Sequence, residues 1–139
     1  MARDNTIRLV QTDTVGATDG TWAQVTKKGN MVFISGQVGL DQAGNLVGRE
    51  DFEAQARQCL DNLEQVLKAV GGSLKDLMMI TVFVKDMAQR PIFAQVRDAY
   101  FRANPPASTL VEVKRLFMDE VLLEVNGIAV LDEKGHPTL

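Results

Sequence analysis

Apolar positions through the middle of the chain recur every three or four residues. Phe52, Ala56, Cys59, Leu60, Leu63, Val66, Leu67 and Val70 fall on one face of a predicted helix. Glu53, Arg57, Asp61, Glu64 and Lys68 take the opposite face. Asp51 suits the N-cap, and Gly71-Gly72 ends the helix. A second helical period, Ile92, Phe93, Val96, Arg97, Tyr100 and Phe101, begins after Pro91, a residue favoured in a first turn. Asn104-Pro105-Pro106 stops it.

The other apolar stretches read as strands. Residues 7–10 form a short one, followed by a polar loop over 11–20. Residues 21–26 alternate, Lys27-Lys28-Gly29-Asn30 turns, and 31–35 return, which predicts a hairpin over 21–35. Asp41-Gln42-Ala43-Gly44-Asn45 is a second turn. The run 78–84 is continuous and apolar, as in a central strand. Strands over 108–113 and 122–131 complete the set, and the tail from 132 to 139 is polar. The predicted order is β-β-β-α-β-α-β-β. No repeat or linker interrupts it, so residues 1–139 form a single α+β domain.

Alternation along the strands separates two sets of side chains. One is aliphatic: Val32, Ile34, Ile80, Val82, Val84, Thr109, Val111, Val113, Leu123, Val125 and Ala129. It matches the helices' apolar stripes, and each such side chain, fully buried, stabilises the fold by about 1.5–3 kcal/mol. The other set is mixed: Met31, Phe33, Ser35, Met79, Thr81, Phe83, Ser108, Leu110, Glu112, Leu122, Glu124, Asn126 and Ile128. Two helices cover one face of such a sheet. The mixed face is too apolar for water and too polar for a closed core. Further copies of the chain are the expected cover, which puts a pocket holding Ser35, Ser108 and Glu124 at a subunit interface.

Composition narrows the chemistry. A net charge of −3 and one histidine among 139 residues disfavour phosphate-driven nucleic-acid binding and His-based catalysis. His136 lies in the tail, and Cys59, the single cysteine, sits on the apolar helix face as a small buried hydrophobe. No metal cluster, membrane span or signal-peptide core is visible, and a cytoplasmic, cofactor-free protein is expected. The most unusual run is Ser35-Gly36-Gln37, with Gly39 beyond it. Glycine within a strand pattern marks a bulge or the close approach of a ligand or another backbone.

Several local runs resemble the RidA family, also called the YjgF or liver perchloric-acid-soluble protein family. They are Gly29-Asn30-Met31 through Ile34-Ser35-Gly36-Gln37, the helical run from Gln55 to Leu63, Thr81-Val82-Phe83-Val84-Lys85-Asp86, Pro106-Ala107 through Val111-Glu112-Val113, and Glu124-Val125 with Ile128-Ala129-Val130. The resemblance implies a chorismate-mutase-like α+β subunit and a homotrimer with sites at the subunit interfaces. It also implies cofactor-free hydrolysis of enamines or imines to ketoacids and ammonia. Some members are described as ribonucleases, which the acidic balance here does not support.

Carried over residue by residue, the resemblance makes Glu124 the group that orients water and relays a proton, with Ser35 assisting beside Gly36. The family's tyrosine becomes Trp22, and an asparagine of some members becomes Ala94. The deaminases' Pro-Ala-Arg-Ser becomes Pro106-Ala107-Ser108-Thr109, and a small residue becomes Leu110. The lost arginine would clamp a substrate carboxylate, and its absence costs roughly a hundredfold or more in binding. Trp22, Leu110 and Phe93 are expected to wall a more apolar cleft around Ser108. Arg97, Lys114 or Arg115 are alternative sources of a cation, with Lys114 on the Ser108 face by strand parity. The leading expectation is an imine or enamine hydrolase with an altered substrate. A non-catalytic, ligand-binding or regulatory trimer is the alternative, and an endoribonuclease a distant third.

Overall fold

The computed structural model describes residues 6–9, 12, 15–16 and 18–132. Its elements are β1 (Ile7–Leu9), β2 (Val25–Lys28), β3 (Met31–Gln37), α1 (Phe52–Ala69), β4 (Leu77–Val84), α2 (Arg90–Phe101), β5 (Ala107–Glu112) and β6 (Leu123–Val130). Short 3-10 turns at Leu74–Asp76 and Met87–Gln89 precede β4 and α2. The predicted order of strands and helices holds. Val10 and the tail from 133 to 139, with His136, lie outside the described residues.

The strands form one six-stranded sheet in the order β1-β2-β3-β6-β4-β5. β4 and β5 are parallel, while β6 runs antiparallel to both β3 and β4. β3 and β4 therefore point the same way, and α1 and α2 are the crossovers that parallel connections require. Both crossovers step in the same direction along the sheet. A common hand of connection then puts both helices on one face.

That face is dry. Val32, Ile80, Val82, Val84, Leu123 and Val125 pack on Leu60, Leu63, Leu67, Phe93 and Val96 with essentially no exposure. Asp51 caps α1, its Oδ1 accepting from the Ala54 N–H at 3.0 Å. Gln55 is also fully buried on α1, and its amide is fully engaged. Its Nε2 donates to the Gly48 and Glu120 carbonyls, and its Oε1 accepts from the Leu122 N–H. The helix is thereby tied to the chain entering β6. Gly39 lets it come this close, because a Cβ there would lie 2.9 Å from the Gln55 Cγ.

Two expectations need correcting. The hairpin strand begins at Val25, not at residue 21, and Lys27 and Lys28 belong to it, leaving Gly29-Asn30 as the turn. Asp19 accounts for the late start. Its carboxylate accepts from the Thr21 N–H and hydroxyl and holds that segment in a turn. The second correction concerns β5. Ser108 pairs with Ile80, Leu110 with Val82 and Glu112 with Val84, so these three share the helix-side face. Thr109 and Val111 stand beside Thr81 and Phe83 on the open face. As an edge strand, β5 is largely exposed on both sides, so its side-chain character does not report its orientation. Lys114 lies beyond its end, where strand parity no longer applies.

Candidate functional site

The Ser35-Gly36 anomaly is a β-bulge. Between Ile34↔Gly127 and Gln37↔Val125, β3 advances three residues while β6 advances two. The extra residue bends β3 away from β6 next to Glu124, which pairs with Phe83 on its other side. Gly36 is needed there for a steric reason. A Cβ added to it would stand 2.4 Å from the Glu124 Oε1 and 2.6 Å from its Cδ. The missing side chain is the space that the carboxylate occupies.

Glu124 is half-buried, and among the described residues its carboxylate accepts no hydrogen bond and makes no ion pair. Burial pushes its pKa above the ordinary 4.5. The carboxyl lines a pocket of about 480 Å³ where the bulge meets the segment before β2 and the loop after β5. Trp22, 44% exposed, and Phe117, 69% exposed, give it aromatic walls. Gln24 and Gln37, both buried, form its polar floor. The Gln37 Nε2 donates to the Ser35 carbonyl at 3.0 Å and to the Gln24 Oε1 at 3.3 Å.

Glu124, Gly36 and Trp22 are thus brought together. Ser35 adjoins them, but its hydroxyl donates to the Ala23 carbonyl at 2.6 Å and fixes the Trp22 segment against the bulge. Its proton is engaged in that bond. The other three expected site residues lie elsewhere. Phe93 has no exposed surface and fills the core under α2, so it walls no cleft. Leu110 packs against that core from β5, because its pairing with Val82 turns it to the helix side. Ser108 is exposed on the same side, and its Oγ accepts from the Arg97 Nη1 at 3.2 Å. Arg97 also stands over the Phe93 ring, 5.8 Å from its centre. Neither Ser108 nor Arg97 shares the face of Glu124 in this chain. Lys114 and Arg115 are exposed and absent from the pocket.

Phe117, Asp19 and the two glutamines are among the pocket residues that sequence reasoning missed. Phe117 and Asp19 sit in loops without periodicity, although Gln37 belongs to the anomalous Ser-Gly-Gln run itself. Cys59 is buried under β6, and desolvation, followed by the nearby Glu124 charge, drives its thiol pKa far up. It is a packing residue. Among the described residues no three His, Cys, Asp or Glu side chains gather to hold a metal ion, and no helix is long and apolar enough to cross a membrane.

Residues 14–131 match the family model described as endoribonuclease L-PSP. The chain is 42% identical over 116 residues to a RutC family protein of Sulfurisphaera tokodaii, covering 84% of this chain and 90% of that protein. It is 36% identical over 126 residues to the 2-iminobutanoate/2-iminopropanoate deaminase of Salmonella typhimurium, covering 88% and 97%. The crystal structure of RidA from an Antarctic Psychrobacter superposes with a TM-score of 0.82 at 34% identity, covering 90% of this chain and all of that one.

Proposed function

The chain belongs to the RidA/YjgF family, and on that premise we propose that it hydrolyses the C=N bond of a small imine or enamine, with Glu124 as the proton carrier. One observation carries the reading. A half-buried carboxylate with no partner among the described residues stands over Gly36 on the wall of a pocket of about 480 Å³. A structural carboxylate in such surroundings would be paired or hydrogen-bonded. The raised pKa brings its two protonation states closer in energy near neutral pH, which general acid–base work requires.

Water adds to the imine carbon as Glu124 takes its proton. The same carboxyl then protonates the nitrogen, the carbinolamine collapses, and a carbonyl compound and ammonia leave. The substrate differs from that of a carboxylate-gripping deaminase. Ser108 stands where an arginine would, and no lysine, arginine or histidine lines the pocket among the described residues.

We further propose a homotrimer. Met31, Phe33, Met79, Val111 and Val130 stand 37–46% exposed on the open face, an apolar patch that two further copies would cover. The pocket would then lie at the boundary between subunits. Ser108 in place of arginine also favours a second reading, a binding trimer without chemistry.

Trapping assays on imines generated in situ separate the two. The wild type should accelerate imine decay, and Glu124→Gln should lower the rate about 10²–10⁴-fold. If no imine decays faster with the wild type than without it, the hydrolase reading fails and the binding reading remains.

A further inference from the structure

The charged groups that line the Glu124 pocket share one sign. Two carboxylates, Glu124 and Asp19, line it. Asp19 stays ionised because the Thr21 hydroxyl, and then the Thr21 N–H, stabilise its charged form. Gln37 is 5% exposed. Its Nε2 is fixed by the Ser35 carbonyl, which only a donor can face. That leaves the Gln37 Oε1 without a donor among the described residues, on the pocket wall. Acceptors left open to a pocket in this way suit a ligand that donates. Trp22 and Phe117 add π-faces, which attract cations.

We infer that the pocket selects a carboxylate-free iminium cation derived from a primary amine. The inference rests on the hydrolase reading and deepens it to a substrate class. The iminium nitrogen offers two N–H donors and a positive charge to Glu124 and the Gln37 Oε1, and its hydrocarbon part lies against Trp22 and Phe117. An imine bearing an α-carboxylate would set a third anion between two others, with no cation among the lining residues described.

The step balances without a co-reactant other than water. A water oxygen bonds to the iminium carbon, and its proton passes to Glu124. Glu124 returns that proton to the nitrogen, the C–N bond breaks with its electron pair on nitrogen, and the remaining hydroxyl proton passes to the departing ammonia. An aldehyde or ketone and ammonium leave. The class of reaction that must supply this substrate is two-electron oxidation of a primary amine.

The chain's single tryptophan, Trp22, is a reporter built into the pocket. Titration of the full-length protein with 3-methylbutylammonium should change its fluorescence with a Kd at least tenfold below that of 4-methylpentanoate. Asp19→Asn, which retains an acceptor for the Thr21 N–H, should weaken the cation several-fold without weakening the carboxylate. Equal or tighter binding of the carboxylate overturns the inference, as does failure of both ligands to alter the signal at millimolar concentration. Turnover then distinguishes this inference from the reading beneath it. The imine released by a flavin amine oxidase from 3-methylbutylamine should be hydrolysed with kcat/KM at least tenfold above the imine an amino-acid oxidase makes from leucine. If the leucine-derived imine is preferred, the substrate class is wrong and the hydrolase reading stands. If the cation binds but neither imine decays faster, the hydrolase reading itself falls.

Discussion

The two faces of the sheet follow different rules. Under the helices, Ile80, Val82, Leu123 and Val125 are sealed against α1 and α2. On the other side, the neighbouring residues on the same strands are Thr81, Phe83, Glu124 and Asn126, all part-exposed. The helix side gives the fold its stability. The open side carries side chains a core would reject, and the carboxyl in the pocket belongs to it. The contrast teaches that the proposed chemistry lies where the packing is incomplete.

Truncation of the closed side should have the largest effect. Leu63→Ala removes a side chain with no exposed surface and should lower stability by about 2–5 kcal/mol, read from the urea midpoint. A loss below about 1 kcal/mol would mean that the helix layer is less tightly packed than described.

Gly36→Ala sharpens the contrast from the other side. The new Cβ meets the Glu124 Oε1, so the carboxyl must shift by a substantial part of an ångström. Misplacement on that scale costs on the order of a hundredfold in activity. The urea midpoint should move far less than in Leu63→Ala. Unchanged turnover would show that the position of Glu124 is immaterial.

Phe33→Ser should have little effect on the subunit, within about 1 kcal/mol, because Phe33 is 44% exposed. Its effect should appear in sedimentation velocity, as a shift from trimer to smaller species. A wild type that sediments as a monomer would refute the trimer proposal outright.

The smallest effect concerns pH. Glu124 is an acid whose folded pKa is raised, so the folded state holds its proton more tightly than the unfolded state does. Its contribution to stability is therefore full below the unfolded pKa and is lost as pH rises through the folded one. Glu124→Gln removes that loss. It should be slightly more stable than the wild type at neutral pH, with the difference vanishing in acid. Equal stability across the range would contradict the desolvation of Glu124.

Sequence alone carried the fold a long way, for reasons visible in particular residues. The stripe from Phe52 to Leu67 has a single solution, and Ser35-Gly36 announced the bulge. The faces of β3, β4 and β6 followed from alternation because one side of each is buried. β5 escaped because it is wet on both sides, and with it went the placement of Ser108 and Leu110. Phe93 carried no mark separating a core aromatic from a cleft wall. Asp19 and Phe117 reach the pocket only through loop conformation, which no period encodes. Gly36 could be singled out, but that its missing Cβ makes room for Glu124, 88 positions away in the chain, required the pairing of β3 with β6.

The central claim is that Glu124 moves the proton in C=N hydrolysis, and the pH dependence of kcat/KM for the wild type and Glu124→Gln on the same imine tests it most directly. The wild-type rate should rise with pH through an inflection above the ordinary carboxylate range. The variant should lack that inflection and be at least about a hundredfold slower. A variant that turns over at the wild-type rate with the same inflection would contradict the claim.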